Sequence, residues 1–209
     1  MKIDAFLFDL DGVLIDSEGG YTGFWSEMGR IYAPDVPGLA AKIKGMTLDK
    51  IFDAYFPGET VRADIRRSLD AYEASMPLAL YPGVLDLLRE LRGKGIKTAV
   101  VTSSNRGKMN RLYASLPELA TLIDITVTDE DVTRSKPDPE PYLTGAARLG
   151  VSPEKCAVVE DSLNGLRAGR ASGAYVIGIT TTNPPEAVEP LCDVTLDATA
   201  DIATLGGRD

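Results

Sequence analysis

The sequence predicts an α/β fold, a doubly wound parallel sheet interrupted by an all-helical insertion. Three observations lead there. Short apolar runs recur along the chain, helical patterns separate most of them, and one long stretch near the N-terminus carries helix signals but no strand-like run. Apolar runs bounded by polar residues or glycine suit strands buried on both faces of a sheet. Their alternation with helices calls for parallel crossover connections.

In chain order, strands are expected at Ile3–Phe8, Ile96–Val101, Ile123–Val127, Cys156–Val159 and Tyr175–Ile179. In Gly83–Lys94 the residues Val84, Leu87, Leu88 and Leu91 share one helical face, and Gly93 and Gly95 offer stops. Pro141–Leu149 and Ser162–Ser172 read as further helices, the second ended by Gly173. Between about Asp16 and Ala79 the helix starts are marked by capping residues: Asp16 or Ser17, Asp35, Thr47 and Thr60. This block reads as a cap domain over residues 16–79, inserted into a core made of 1–15 and 80–209. Its hinges are expected near Asp16–Glu18 and Pro77–Pro82.

Composition narrows the chemistry. The net charge of −9 lacks the basic footprint that nucleic-acid binding requires. No apolar stretch is long and clean enough for a membrane span or a signal peptide. The two cysteines, Cys156 and Cys192, provide neither a disulfide framework nor metal-ligand spacing, so a cytoplasmic, reducing setting is expected. A monomer is expected as well. The chain has no histidine. Histidine-based triads and zinc sites are therefore excluded, acid/base work falls to carboxylates, Lys, Tyr or Cys, and any metal must be held by hard oxygens.

Four strand ends carry the candidate chemistry. Asp9-Leu10-Asp11-Gly12 closes the first strand with two carboxylates at i and i+2, on the same side of the chain, and Gly12 lets the backbone turn away. Alone, such a motif is as readily a decorated turn. The second strand ends in Thr102-Ser103-Ser104-Asn105, a hydroxyl cluster suited to phosphate oxygens or to capping the next helix. After the third comes Ser135-Lys136-Pro137, where proline stiffens the loop and can aim the lysine inward. The fourth ends in Glu160-Asp161-Ser162, a second acidic pair that with Asp9 offers oxygens for a magnesium ion, or simply caps the following helix. Strand ends of one sheet converge on the crevice where open α/β folds bind ligands, so the four signals reinforce one another.

Together the segments DLDGVL, VVTSSN, SKPDPEPY and VVEDSLNGLRAG resemble the four motifs of the haloacid dehalogenase superfamily, in its sugar-phosphatase and β-phosphoglucomutase branch. The resemblance implies a Rossmann-like core with an all-helical cap. It implies Asp9 as the nucleophile that forms an aspartyl-phosphate and Asp11 as general acid/base. Thr102, Ser103 and Lys136 would hold the phosphoryl group, and Asp9, Asp11 (through its carbonyl), Asp161 and Glu160 would hold Mg2+. Ser162 and Asn164 would support them. The second aspartate argues for phosphate chemistry over halide displacement. A phospho-receiver module shares an aspartate, a hydroxyl and a lysine, but such modules are much shorter and lack the insertion. The expected substrate is a small phosphorylated metabolite, with Tyr21, Trp25, Lys44 and Gly45 as candidate contacts from the cap. Trp25 serves equally as bundle core. A mutase is the alternative, against which stand Tyr21 where that branch carries a hinge histidine and Leu48 or Asp49 where it carries an arginine.

Overall fold

The computed structural model describes residues 2–44 and 46–207. Six parallel strands form one sheet in the order β3-β2-β1-β4-β5-β6. They are β1 (Ala5–Phe8), β2 (Lys97–Val101), β3 (Ile125–Val127), β4 (Cys156–Glu160), β5 (Tyr175–Ile179) and β6 (Val194–Leu196). Helices α1 (Glu18–Tyr32), α2 (Leu39–Lys42), α3 (Leu48–Tyr55) and α4 (Glu59–Ser75) all lie between β1 and α5 (Val84–Gly93). The remaining helices are α6 (Arg106–Ser115), α7 (Pro117–Leu122), α8 (Glu140–Leu149), α9 (Leu163–Ser172) and α10 (Pro185–Val188).

Strand alternation builds two cores. Phe6 and Phe8 of β1 join Leu87, Leu88, Leu91 and Val100 on one face of the sheet. Ala5 and Leu7 join Tyr142, Ala146 and Val158 on the other. A strand buried on both faces has no polar side to alternate with, which is why β1 reads as an unbroken apolar run. Because β2 and β3 lie to one side of β1 and β4 to β6 to the other, the winding reverses at β1. Ligands bind beyond the carboxyl ends of strands at such a switch point.

The insertion has a core of its own, formed by Trp25, Met28, Ile51, Phe52, Phe56 and Ile65. Its two connections to the sheet run side by side. Asp16 N–H donates to Ala79 C=O at 2.9 Å and Tyr81 N–H to Leu14 C=O at 3.0 Å. The expected hinge segments are therefore adjacent in space. Among the described residues no helix is long and apolar enough to cross a membrane.

Three features differ from the sequence reading. Asp35 and Thr60 do not cap their helices: α2 follows Gly38 and α4 follows Gly58, which places Thr60 inside the helix. The first three strands start one or two residues late, because Ile3, Ile96 and Ile123 extend the apolar runs but pack from the flanks without joining the ladder. The edge strand β6 was not expected: three half-exposed residues show no usable period. Phe52, at 1% exposure, is among the most deeply buried residues of the insertion. Phe52→Ala should lower stability by about 3–5 kcal/mol in chemical denaturation, the usual loss for a buried phenyl group.

Candidate active site

The four strand ends meet. A cleft of about 400 Å3 opens between the sheet's carboxyl edge and the insertion, lined from the sheet side by Asp9, Asp11, Thr102, Ser103 and Asp161. Gly12 makes the turn after β1 with φ at +84°, and a Cβ there would stand 2.1 Å from Asp161 Oδ2. Only glycine meets both demands at once.

Lys136 lies beneath the cleft and is 1% exposed. Its ammonium donates to Asp9 Oδ1 and Glu160 Oε1, both at 2.6 Å, and to Val101 C=O at 3.0 Å, and it lies 4.9 Å from the centroid of the Tyr142 ring. Burial alone would lower its proton affinity, but Asp9 and Glu160 outweigh burial and raise it, so the amine stays charged. Burial is also the largest influence on Asp9. It pushes that carboxyl up to about 8 with help from Glu160 and Asp11, against the pull of Lys136.

Glu160 is fully buried. Oε1 accepts from Lys136 and from the Tyr142 hydroxyl at 2.8 Å. Oε2 accepts from the backbone N–H of Asp161 and Ser162 and from Ser162 Oγ, at 2.9–3.0 Å. Ser162 also caps α9 by accepting from Gly165 N–H at 3.0 Å. A Cβ at Gly165 would fall 1.7 Å from Glu160 Oε1, so that glycine makes room for the carboxylate. Helix capping and site building are thus one arrangement. Asn105 similarly caps α6.

The group that could hold a metal is Asp9, Glu160 and Asp161, each offering an oxygen within 4.8 Å of the others. Four carboxylates (Asp9, Asp11, Glu160, Asp161) face two ammonium groups, Lys108 and Lys136. A compact set of hard oxygens with excess negative charge fits a magnesium-like cation. Direct ligation by Glu160 would compete with its five hydrogen bonds.

From the insertion, Tyr21, Trp25 and Lys44 line the cleft. Trp25 also belongs to the insertion's core, so its two readings are both met. Gly45 lies outside the described residues. Asn164 Nδ2 reaches across to Lys44 C=O at 3.0 Å, and Lys50 Nζ to Ser135 C=O at 3.3 Å. Asp49 pairs with Arg66 at 3.4 Å, and Arg66 lines the cleft, so the wall carries a guanidinium after all, supplied by α4.

The sequence reading missed the partners of Asp11. Lys108 Nζ contacts both Asp11 oxygens, at 2.5 and 2.7 Å, while Ser104 Oγ donates at 3.0 Å and Ser17 Oγ donates as well. Lys108 stands three residues after Asn105, one turn into α6, where a lysine ordinarily reads as solvated. Its burial could have been suspected only from its place beside the hydroxyl cluster.

A family model for haloacid dehalogenase-like hydrolases matches residues 3–173. The chain belongs to this family. Hexitol phosphatase A of Escherichia coli (strain K12) is 34% identical over 186 residues, spanning 86% of this chain and 84% of that protein. The β-phosphoglucomutase of Bacillus subtilis (strain 168) is 28% identical over 214 residues, spanning 95% and 92%. Among solved structures, CbbY from Rhodobacter sphaeroides in complex with phosphate superposes with a TM-score of 0.75 at 27% identity, covering 96% of both chains. Asp9, Thr102 and Asp161, which follow β1, β2 and β4, line the cleft, and Lys136 reaches Asp9 from the loop before α8.

Within the family site, Tyr142 offers a clean test of the buried charge cluster. Tyr142→Phe keeps the ring near Lys136 but removes one donor from Glu160. It should lower thermal stability by about 1.5–3 kcal/mol, as expected for a hydrogen bond to a buried charged group.

Proposed function

We propose that this chain is a Mg2+-dependent phosphatase that hydrolyses a small phosphorylated metabolite, a sugar or sugar-alcohol phosphate, through an aspartyl-phosphate on Asp9. The observation that carries the reading is the convergence of Asp9, Asp11, Thr102 and Ser103 on one cleft, with Lys136 bound to Asp9 from below. Phosphoryl transfer depends on in-line positioning and on neutralising spread negative charge more than on covalent novelty. The similarity to a hexitol phosphatase supports the substrate class.

In this reading residues 1–15 and 80–209 form the catalytic core and 16–79 the cap. Asp9 attacks phosphorus and the bond to the leaving oxygen breaks, with Asp11 delivering the proton that oxygen takes up. Water then attacks the aspartyl-phosphate, Asp11 accepts its proton, and Asp9 is released with inorganic phosphate. Thr102, the Ser103 backbone N–H and Lys136 steady the phosphoryl oxygens. Magnesium held by Asp9, Asp161 and the carbonyl of Asp11, with Glu160 adjoining, would neutralise phosphate charge and ease its repulsion from Asp9. On the rim, Asp49, Asp129 and Glu130 are acceptors suited to the hydroxyls of a neutral leaving group.

A second reading, β-phosphoglucomutase, is favoured by the near full-length similarity to that enzyme. Tyr21 in place of a hinge histidine, and the absence of arginine at Leu48 and Asp49, weigh against it, since a guanidinium grips a second phosphate bidentately. Arg66 is engaged with Asp49 and stacked 5.0 Å from the Phe52 ring centroid.

The test is phosphate release from p-nitrophenyl phosphate and from a panel of hexose and hexitol phosphates. Chelation of magnesium should abolish release and added Mg2+ restore it, while Asp9→Asn should reduce it roughly a thousandfold or more. Unchanged release by Asp9→Asn would remove the reading. With β-glucose 1-phosphate and a trace of its bisphosphate, efficient formation of glucose 6-phosphate with little free phosphate would establish the mutase instead.

A further inference from the structure

Lys108 lies outside the four motifs, is 1% exposed and does not line the cleft, yet its ammonium is the strongest partner of Asp11. It also approaches Ser104 Oγ at 3.2 Å and sits 4.5 Å from the centroid of the Tyr21 ring. A charged amine buried this deeply is held only where its partners are fixed. Its helix is anchored at that turn, because Asn105 Oδ1 accepts from Lys108 N–H at 2.8 Å.

We propose that Lys108 is a positioning residue for Asp11, holding both carboxylate oxygens in the orientation that accepts a proton from water during hydrolysis of the aspartyl-phosphate. This inference rests on the phosphatase reading and deepens it. An ammonium can only donate, and an ionised carboxylate can only accept. With Lys108, Ser104 and Ser17 all donating to it, Asp11 is set as an acceptor, which is what the second half-reaction needs. There water's oxygen bonds to phosphorus, its proton passes to Asp11, and the phosphorus–Asp9 bond breaks, returning the electron pair to Asp9. The first half-reaction asks the opposite of Asp11 and gains nothing from the clamp. Tyr21 ties the arrangement to the insertion. Its ring covers the ammonium, and its hydroxyl donates at 2.8 Å to Glu73 of α4, which Arg111 of α6 also holds at 2.8 Å.

The experiment is rapid-mixing kinetics of the full chain with Mg2+ and p-nitrophenyl phosphate, whose leaving group needs no proton. Lys108→Met should release a first equivalent of p-nitrophenolate per active site near the native rate. It should then turn over on the order of 10- to 100-fold more slowly, part of what a positioned acid/base contributes. Lys108→Gln, of similar length and still a donor, should show the same burst with a smaller loss, and it decides the matter if the methionine variant does not fold. An unchanged steady-state rate, or burst amplitude and rate falling in the same proportion, overturns the inference, because a merely structural lysine would lower the active fraction alone. Asp11→Asn in the same assay separates the two levels. If it turns over like the native protein, the role given to Asp11 fails; if it stalls after a burst while the lysine variants do not, only the role given to Lys108 fails.

Discussion

A lysine with almost no access to water organises this molecule. Burying an ammonium costs several kcal/mol unless its partners are close and fixed, and removing one partner typically costs about 3–5 kcal/mol. Lys136 meets that demand by drawing on Asp9 after β1, Val101 at the end of β2, Glu160 at the end of β4 and the Tyr142 ring of α8. Each partner belongs to a different element. The charge therefore ties three strand ends and a helix into one geometry before any substrate arrives. Glu160 extends the effect, since the donors on its second oxygen fix the loop that carries Asp161 and the start of α9. Preorganisation of this kind is what electrostatic catalysis requires.

The same economy explains how an acidic chain can hold an anionic substrate. A net charge of −9 opposes any phosphate at long range. The amines that counter it at the site, Lys108 and Lys136, are turned inward and nearly dry, where screening by solvent is weakest. Arginines such as Arg30, Arg67 and Arg89 are spent on exposed pairs with nearby acids, which contribute little. Charge balance in the cleft is thus a local property that total charge conceals.

How far the sequence reveals this follows from which forces act along the chain and which act across it. Strand ends were legible because β1, β2 and β4 are buried on both faces, and polar residues interrupt them only where the chain leaves the sheet. Asp9, Thr102 and Asp161 follow directly from that, whereas Lys136 stands in the loop between β3 and α8. The insertion was legible because it has helical patterns and no strand-like run, while its capping residues were a poorer guide: α1 and α3 follow Ser17 and Thr47, but α2 and α4 follow Gly38 and Gly58. β6 was not, since an edge strand of three half-exposed residues is defined by its neighbour β5 more than by its own pattern. Lys108 and Glu73 were also hidden. Each is a charged residue on a helix, and its burial depends on what packs against it from elsewhere in the chain: Tyr21 over Lys108, and Arg111 of α6 with Tyr21 of α1 around Glu73.

Tyr21 changes most in meaning between sequence and structure. As a cleft-lining aromatic it reads as a substrate contact. In the structure its hydroxyl is committed to Glu73 and its ring to Lys108, while burial, followed by Asp11 and Glu73, pushes its phenol far above the usual range and keeps it a donor. The residue lines the cleft and is at the same time engaged at both ends. Its contacts join the insertion, through α1 and α4, to Lys108 and so to Asp11. Any movement of the insertion that withdraws Tyr21 also uncovers Lys108, and so alters the surroundings of Asp11. The contact between Tyr21 and Asp11 thus runs through the Lys108 ammonium, which touches the ring on one side and both carboxylate oxygens on the other.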